Sequence, residues 1–85
     1  MKDEDGKRLR EDDHVIYALH DGSFHPEKRT GVVSRITEEE AEPDYQEGAF
    51  CIRATGKTRE RLIEHGICPR VTYTSGGFVM LKKVV

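Results

Sequence analysis

Short runs in which apolar residues recur at every second position dominate this chain, and this spacing is typical of β-strands. The first run, HVIYALH, covers residues 14–20 and is apolar on both faces, which predicts a central or strongly curved strand rather than an edge. A second run covers residues 30–36 and a third covers residues 49–55. In the third run Phe50 and Ile52 face the same side, so one face of this strand is expected to be buried.

One segment has the features of a helix instead. Thr58 is a good N-cap residue, and Gly66 favours the positive φ of the residue that follows a helix. Between them, Leu62 and Ile63 give an apolar stripe. We therefore predict a short helix over residues 58–65.

The C-terminal part of the chain predicts two further strands, residues 71–74 and 78–84. The segment Ser75-Gly76-Gly77 between them is a short-turn signal, which predicts that the two strands form a hairpin. The last strand is apolar on both faces, so we expect it to be threaded between neighbouring strands or hidden in an oligomer interface. Since a small core benefits from a second copy, we expect a homodimer through this strand.

Together these elements predict a mostly β fold with one short helix, either a small, strongly bent SH3-like barrel or an open antiparallel sheet of about five strands. A chain of 85 residues is expected to form a single domain, 1–85. A domain of this size buries only roughly 60–65% of the surface that its unfolded chain exposes. We expect the N-terminal segment, residues 1–8, to be frayed and residues 37–48 to form an acidic loop.

The charge is unevenly distributed, although the net charge is only −2. Residues 38–47 hold six acids and no base, whereas residues 48–85 hold seven bases and two acids. A run of like charges usually remains a solvated loop. The alternative is an acidic lip that binds a cation or a basic partner.

No catalytic or metal motif is complete in this sequence. Gly56-Lys57-Thr58 precedes the predicted helix, but Cys51 stands where a phosphate-binding loop has its first glycine. Neither Cys51 nor Cys68 belongs to a Cys-x-x-Cys pair, which argues against a zinc site. We therefore predict no catalytic residue, no metal and no cofactor, that is, a protein that is not an enzyme.

The N-terminal sequence MKDEDGKRLR lacks the apolar core of a signal peptide. No apolar run approaches the length of a membrane-spanning helix either. These two features predict a cytoplasmic protein without a membrane partner.

Aromatic and basic side chains are the remaining candidates for ligand contact, because small barrels bind ligands through such residues on one face or rim. We expect Tyr17 and Tyr73 to be half-buried with their hydroxyls in water. Phe24 lies in a basic loop, and Tyr73 lies near a base in the last predicted hairpin. The predicted binding residues are Phe24, Lys28, Arg29, Arg53, Arg59, Arg70 and Tyr73.

The segment from Gly6 to Ile36 resembles the beginning of SH3-like barrels. Its residues GK-x-L followed by D-x-VI are similar to the "GK-x-L-x-x-GD-x-V" opening of several such barrels, including phage-associated YopX-type proteins. The residues TGVV-x-x-I are similar to half of a KOW-type motif. This resemblance covers about a third of the chain and departs from the pattern at Asp12, which replaces a glycine. It implies an SH3-like barrel that acts as a binding module of a phage or other mobile element.

Two function classes remain open at this point. The first is a non-enzymatic module that binds a protein or peptide, which the net charge of −2 and the acidic loop favour. The second is a nucleic-acid-binding barrel that uses Lys28, Arg29, Arg35, Arg53, Arg59, Arg61 and Arg70. Binding to phosphates weakens steeply with salt, whereas binding in an apolar groove does not. A small enzyme is the weakest alternative.

Overall fold

The computed structural model describes residues 1–84 and shows an antiparallel five-stranded sheet with one short α-helix. The order of the strands in the sheet is β4-β3-β2-β1-β5, so β4 and β5 form the two edges of an open sheet. This confirms the predicted mostly β fold, in its open-sheet form. The elements are β1 (His14–Leu19), β2 (Arg29–Arg35), β3 (Phe50–Ala54), α1 (Gly56–Glu64), β4 (Arg70–Thr72) and β5 (Phe78–Lys83).

The last two strands do not form the predicted hairpin. β4 pairs with β3, with Val71 opposite Ile52, whereas β5 pairs with β1, with Lys82 opposite Ile16. The segment between them does form a turn, since the N–H of Gly77 donates to the carbonyl of Thr74 at 3.0 Å. The glycine signal therefore identified a turn correctly but not the strands that it joins, because a tight turn does not by itself fix the pairing partner.

The core lies on one face of the sheet. Its buried side chains come from β1, β2, β3 and β5, together with Leu9, which precedes the sheet. The alternation predicted for β3 is confirmed in part, because Ile52 is fully buried and Phe50 packs against the core. The buried cluster consists of Leu9, Val15, Tyr17, Val33, Ile52 and Leu81.

A close approach between strands explains the glycine in β2. A Cβ atom on Gly31 would lie 2.7 Å from the carbonyl oxygen of Arg53 and 3.0 Å from Cε1 of Tyr17. Only glycine leaves room for the Tyr17 ring at this position. The ring is 0% exposed and its hydroxyl has no hydrogen-bond partner among the described residues, so the expectation of a half-buried Tyr17 with a wet hydroxyl is wrong.

β5 contains a β-bulge. Leu19 lies opposite Phe78 and Ala18 lies opposite Met80, which leaves Val79 without an opposing residue. An extra residue reverses the alternation of the strand. Phe78 and Leu81 therefore both pack into the core, while Val79 is 46% exposed. The expectation that this strand is threaded between neighbours is wrong, because β5 is an edge strand.

The N-terminal segment lies along the free edge of β5. The Asp3 carboxylate accepts hydrogen bonds from the backbone N–H groups of Lys7 at 2.7 Å and Lys83 at 3.0 Å. The N–H of Glu4 donates to the carbonyl of Leu81 at 2.8 Å. Burial raises the pKa of Asp3, but the backbone donors outweigh it and the net pKa lies below its ordinary value. Fraying of this segment stays a prediction about its motion.

Helix α1 begins earlier than predicted. Its N-cap is Thr55 rather than Thr58, and Gly66 follows its end with a φ of +71° as expected. Thr58 is buried in the first turn, where its hydroxyl oxygen accepts the N–H of Thr30 at 3.2 Å. This contact fixes the helix to β2.

The apolar side of α1 is narrower than predicted. Leu62 is buried, but Ile63 is 51% exposed. Neighbouring residues of an α-helix point about 100° apart, so the side chain after a buried Leu62 can point into solvent.

Candidate binding site

Phe24 lies in the loop between β1 and β2, which we call the Phe24 loop (residues 20–28). Its side chain is 98% exposed, more than any other large apolar side chain among residues 1–84. The turn before it is fixed locally, because the Asp21 carboxylate accepts the N–H of Ser23 at 2.8 Å. Hydrogen bonds from the side chain and the backbone of Ser23 hold the pKa of Asp21 below its ordinary value. The tip therefore presents an aromatic ring on an ordered turn.

The base of the Phe24 loop is attached to the rest of the fold. The Glu27 carboxylate forms an ion pair with the guanidinium of Arg61 on α1. Beyond it, Lys28 is exposed, whereas Arg29 is half-buried at the start of β2, opposite Tyr17 in β1. Two of the predicted bases thus follow Phe24 four and five residues further along the chain.

Two other predicted binding residues, Arg53 and Arg70, contact the chain's own acidic loop. Glu40 ends a short 3-10 helix, Glu38–Glu40, and its carboxylate lies between two arginines. Its Oε2 is 2.9 Å from Nη1 of Arg53 and 2.7 Å from Nη1 of Arg70. We call these three residues the Glu40 cluster. The Tyr45 ring packs against Arg70, with its centroid 5.2 Å from the guanidinium carbon.

The Glu40 cluster is an internal electrostatic contact. Hydrogen bonds from Arg53, and then from Thr37, hold the pKa of Glu40 far below its ordinary value. Arg53 also donates to the hydroxyl of Ser34 at 3.1 Å. Arg53 and Arg70 therefore have few donors left for an external anion. The acidic loop binds these two arginines of its own chain through Glu40.

The thiol of Cys51 in β3 is not activated. Cys51 alternates with the core residues of β3 and is fully buried between Ser34 and Thr72 of the neighbouring strands. Burial raises the pKa of its thiol, which disfavours the reactive thiolate. Cys68 is exposed.

The remaining predicted residues lie elsewhere. Arg59 is exposed on α1. Tyr73 is half-buried, as expected, and its ring stacks on Phe78 with centroids 6.0 Å apart. The structure thus brings Arg53 and Arg70 together. Lys28 and Arg29 lie near Phe24 along the chain, and neither Arg59 nor Tyr73 belongs to one of these two groups.

Sequence reasoning missed one surface feature, which we call the arginine-rimmed groove. It has a volume of about 350 Å³ and lies beside the ends of β2 and β3. Its signal was present as Arg8 and Arg10 on either side of Leu9, but these bases precede the first strand and were not assigned to a surface. Its apolar residues are Met1, Leu9 and Phe50, its basic residues are Arg8, Arg10 and Arg35, and its one acidic residue is Glu11.

Residues 1–84 contain neither a metal-binding cluster nor a membrane-spanning helix. No group of three or more histidine, cysteine, aspartate or glutamate side chains in this part of the chain is arranged to hold a metal ion. Within the same residues, α1 is too short and too polar to cross a bilayer.

Comparisons with known proteins identify no relative. No protein-family model matches the chain, and neither the curated proteins nor the solved structures that were compared give a significant match.

Proposed function

We propose that this chain is a small non-enzymatic binding module that holds a protein or peptide through its Phe24 loop. The observation that supports the proposal most strongly is the 98% exposure of Phe24 on a loop whose base is tied to α1. A large aromatic ring in water gains free energy when a partner covers it, at roughly 25 cal/mol per Å² of apolar surface. Aromatic anchors of this kind dominate the energy of many interfaces.

The charge layout supports a protein partner over a nucleic acid. Of the seven bases assigned to nucleic-acid binding by the sequence, four form ion pairs with glutamates of the same chain. A phosphate backbone is held by bases that exchange counterions for phosphates. Bases that already have carboxylate partners contribute less to such binding. The four paired bases are Arg35, Arg53, Arg61 and Arg70.

Three finer proposals accompany this function. An SH3-like assignment is supported by the strand order, in which β1 lies between β2 and β5, and by the resemblance of the opening segment. A phage or mobile-element setting and a cytoplasmic location rest on the sequence alone. A homodimer through β5 is supported by the exposure of the side chains of Val79 in this strand and of Val84 directly after it.

The proposal is tested by selecting peptides that depend on Phe24. A displayed library of random peptides is enriched on the wild-type protein and depleted on the Phe24→Ser variant. Ile63→Ser is the matched control, because Ile63 is also an exposed apolar residue but lies on α1. Surviving peptides should bind the wild type and the control equally and the Phe24→Ser variant at least about tenfold more weakly. If no peptide survives depletion, the Phe24 loop is not a binding surface.

The nucleic-acid alternative is tested by gel shift at low salt with unspecific DNA and RNA. We expect no shift at about 50 μM protein. A shift that disappears as salt is raised would favour the nucleic-acid function instead.

A further inference from the structure

The arginine-rimmed groove lies at the opposite end of the sheet from the Phe24 loop. In the pairing of β1 with β2, Tyr17 lies opposite Arg29 next to the Phe24 loop, whereas His14 lies opposite Val32 towards the other end. Arg35, at that other end of β2, forms part of the groove. A ligand in the groove is therefore separate from the surface assigned to Phe24.

One arginine of the groove is held in a fixed orientation. The guanidinium carbon of Arg35 lies 4.3 Å from the centroid of the Phe50 ring, and its Nη1 donates to the carbonyl of Gly48 at 2.9 Å. Its Nε lies 3.5 Å from a carboxylate oxygen of Glu11. The Arg35 side chain is still 52% exposed, so it presents a planar cation beside an aromatic wall.

The other two arginines carry uncompensated charge. Arg8 and Arg10 are exposed, and neither forms an ion pair with a carboxylate side chain of residues 1–84. Three acids follow Arg10 in the chain. Glu11 pairs with Arg35, Asp12 is exposed and forms no ion pair among the described residues, and Asp13 lies 3.6 Å from Nζ of Lys83 and accepts the backbone N–H of Arg10. The groove therefore has a net positive charge, with three arginines against the one carboxylate of Glu11, which pairs with Arg35, beside the apolar side chains of Met1, Leu9 and Phe50.

We propose that this groove binds an acidic peptide segment of a partner protein. An apolar side chain of the peptide enters between Met1, Leu9 and Phe50, and flanking carboxylates pair with Arg8 and Arg10. Arginine suits this role because its planar guanidinium donates two parallel hydrogen bonds to one carboxylate. A volume of about 350 Å³ accommodates one or two side chains rather than a whole domain.

Two features of the groove favour a peptide over a single-stranded nucleic acid. Stacking of bases requires a free aromatic face, and the Phe50 face is covered by Arg35. A nucleic acid also needs bases along an extended track, whereas the positive side chains of this groove are confined to three residues at one end of the sheet.

The test uses the full chain and a labelled peptide. The probe is a fluorescent ten-residue peptide of glutamates with two central leucines, and the control peptide has glutamine in place of every glutamate. The variant Arg8→Glu/Arg10→Glu removes the positive rim. Lys57→Glu/Arg59→Glu makes the same change in charge on α1, where both residues are exposed.

We expect the acidic peptide to bind the wild type and the α1 variant equally, and the rim variant at least about tenfold more weakly. Binding should weaken as salt is raised, and the glutamine peptide should bind poorly. In spectra of the ¹⁵N-labelled protein, the peptide should shift the amide signals of Leu9 and Phe50 and leave those of the Phe24 loop unchanged.

Three results would overturn the inference: equal binding by the rim variant, equal binding of the glutamine peptide, or amide shifts confined to the Phe24 loop. A ten-nucleotide thymidine strand that displaces the peptide at lower concentration would assign the groove to nucleic acid instead. The Phe24→Ser variant separates this inference from the proposed function, because it should bind the acidic peptide normally.

Discussion

The carboxylate of Glu40 and the guanidinium of Arg53 form a two-point contact, with Oε1 2.5 Å from Nη2 and Oε2 2.9 Å from Nη1. Glu40 belongs to the acidic loop and Arg53 to β3, so this contact closes the loop onto the sheet. Parallel hydrogen bonds of this kind are stronger than those of a single-point ion pair. The acidic loop is therefore attached to the sheet at the position where Arg70 also meets it.

We predict that Glu40→Gln loosens the acidic loop. Glutamine retains an acceptor but loses the negative charge that binds Arg53 and Arg70. Amide hydrogen exchange should become faster in residues 37–48, and the free energy of unfolding should fall. Glu39→Gln is the control, because Glu39 is exposed and forms no ion pair among the described residues. Equal exchange in the two variants would show that Glu40 does not attach the loop.

The same contact predicts a pH dependence. The pKa of Glu40 in the folded protein lies below its ordinary value of 4.5, mainly because of Arg53. A lowered pKa stabilises the fold in full above the unfolded-state value and ceases to do so as pH falls through the folded-state value. The difference in unfolding free energy between the wild type and Glu40→Gln should therefore be larger at about pH 7 than at about pH 3. Urea titrations at both pH values measure it, and an unchanged difference would contradict the role of the ionised carboxylate.

Asp12 has a positive φ of +73°, which is unfavourable for a residue with a side chain. This is the position at which the SH3-like pattern has glycine. Asp12→Gly should therefore be at least about 1 kcal/mol more stable than Asp12→Ala, because alanine retains the steric conflict. Urea unfolding of the two variants measures the difference, with the exposed Asp44→Ala as a control that should remain near wild type. Equal stability of the two Asp12 variants would show that the backbone at this turn is not strained.

The buried hydroxyl of Tyr17 predicts a stabilising substitution. It has no hydrogen-bond partner among residues 1–84, and burial raises its pKa. Loss of an unsatisfied buried polar group should stabilise the fold, so Tyr17→Phe is expected to raise the free energy of unfolding by about 1 kcal/mol. Denaturant unfolding measures this change. A decrease in stability would mean that a buried water molecule satisfies the hydroxyl.

Alternation of apolar residues was sufficient to predict the strands β1, β2 and β3 and the inward orientation of Ile52. It failed at β5, because a bulge at Val79 reverses the alternation and no residue type marks a bulge reliably. The strand order could not be predicted either, because the same turn residues can join β4 and β5 as a hairpin or as strands at opposite edges of the sheet.

The candidate sites were predictable to different extents. Phe24 was recognisable because a lone aromatic residue in a polar loop has no strand or helix to bury it. The pairing of Glu40 with Arg53 and Arg70 was not, because a loop and two strands that are distant in sequence meet only in the folded chain. The groove beside Arg35 has the same origin, since it forms between the N-terminal segment and the ends of two strands.

Binding of a protein or peptide by the Phe24 loop is tested by the dissociation constant of a Phe24-selected peptide. We predict that Phe24→Ser raises this constant at least about tenfold, whereas Ile63→Ser leaves it unchanged. The free energy of unfolding of Phe24→Ser should stay within about 0.5 kcal/mol of the wild type, because Phe24 is a surface residue. Equal dissociation constants for the wild type and the Phe24→Ser variant would show that the Phe24 loop does not bind the peptide.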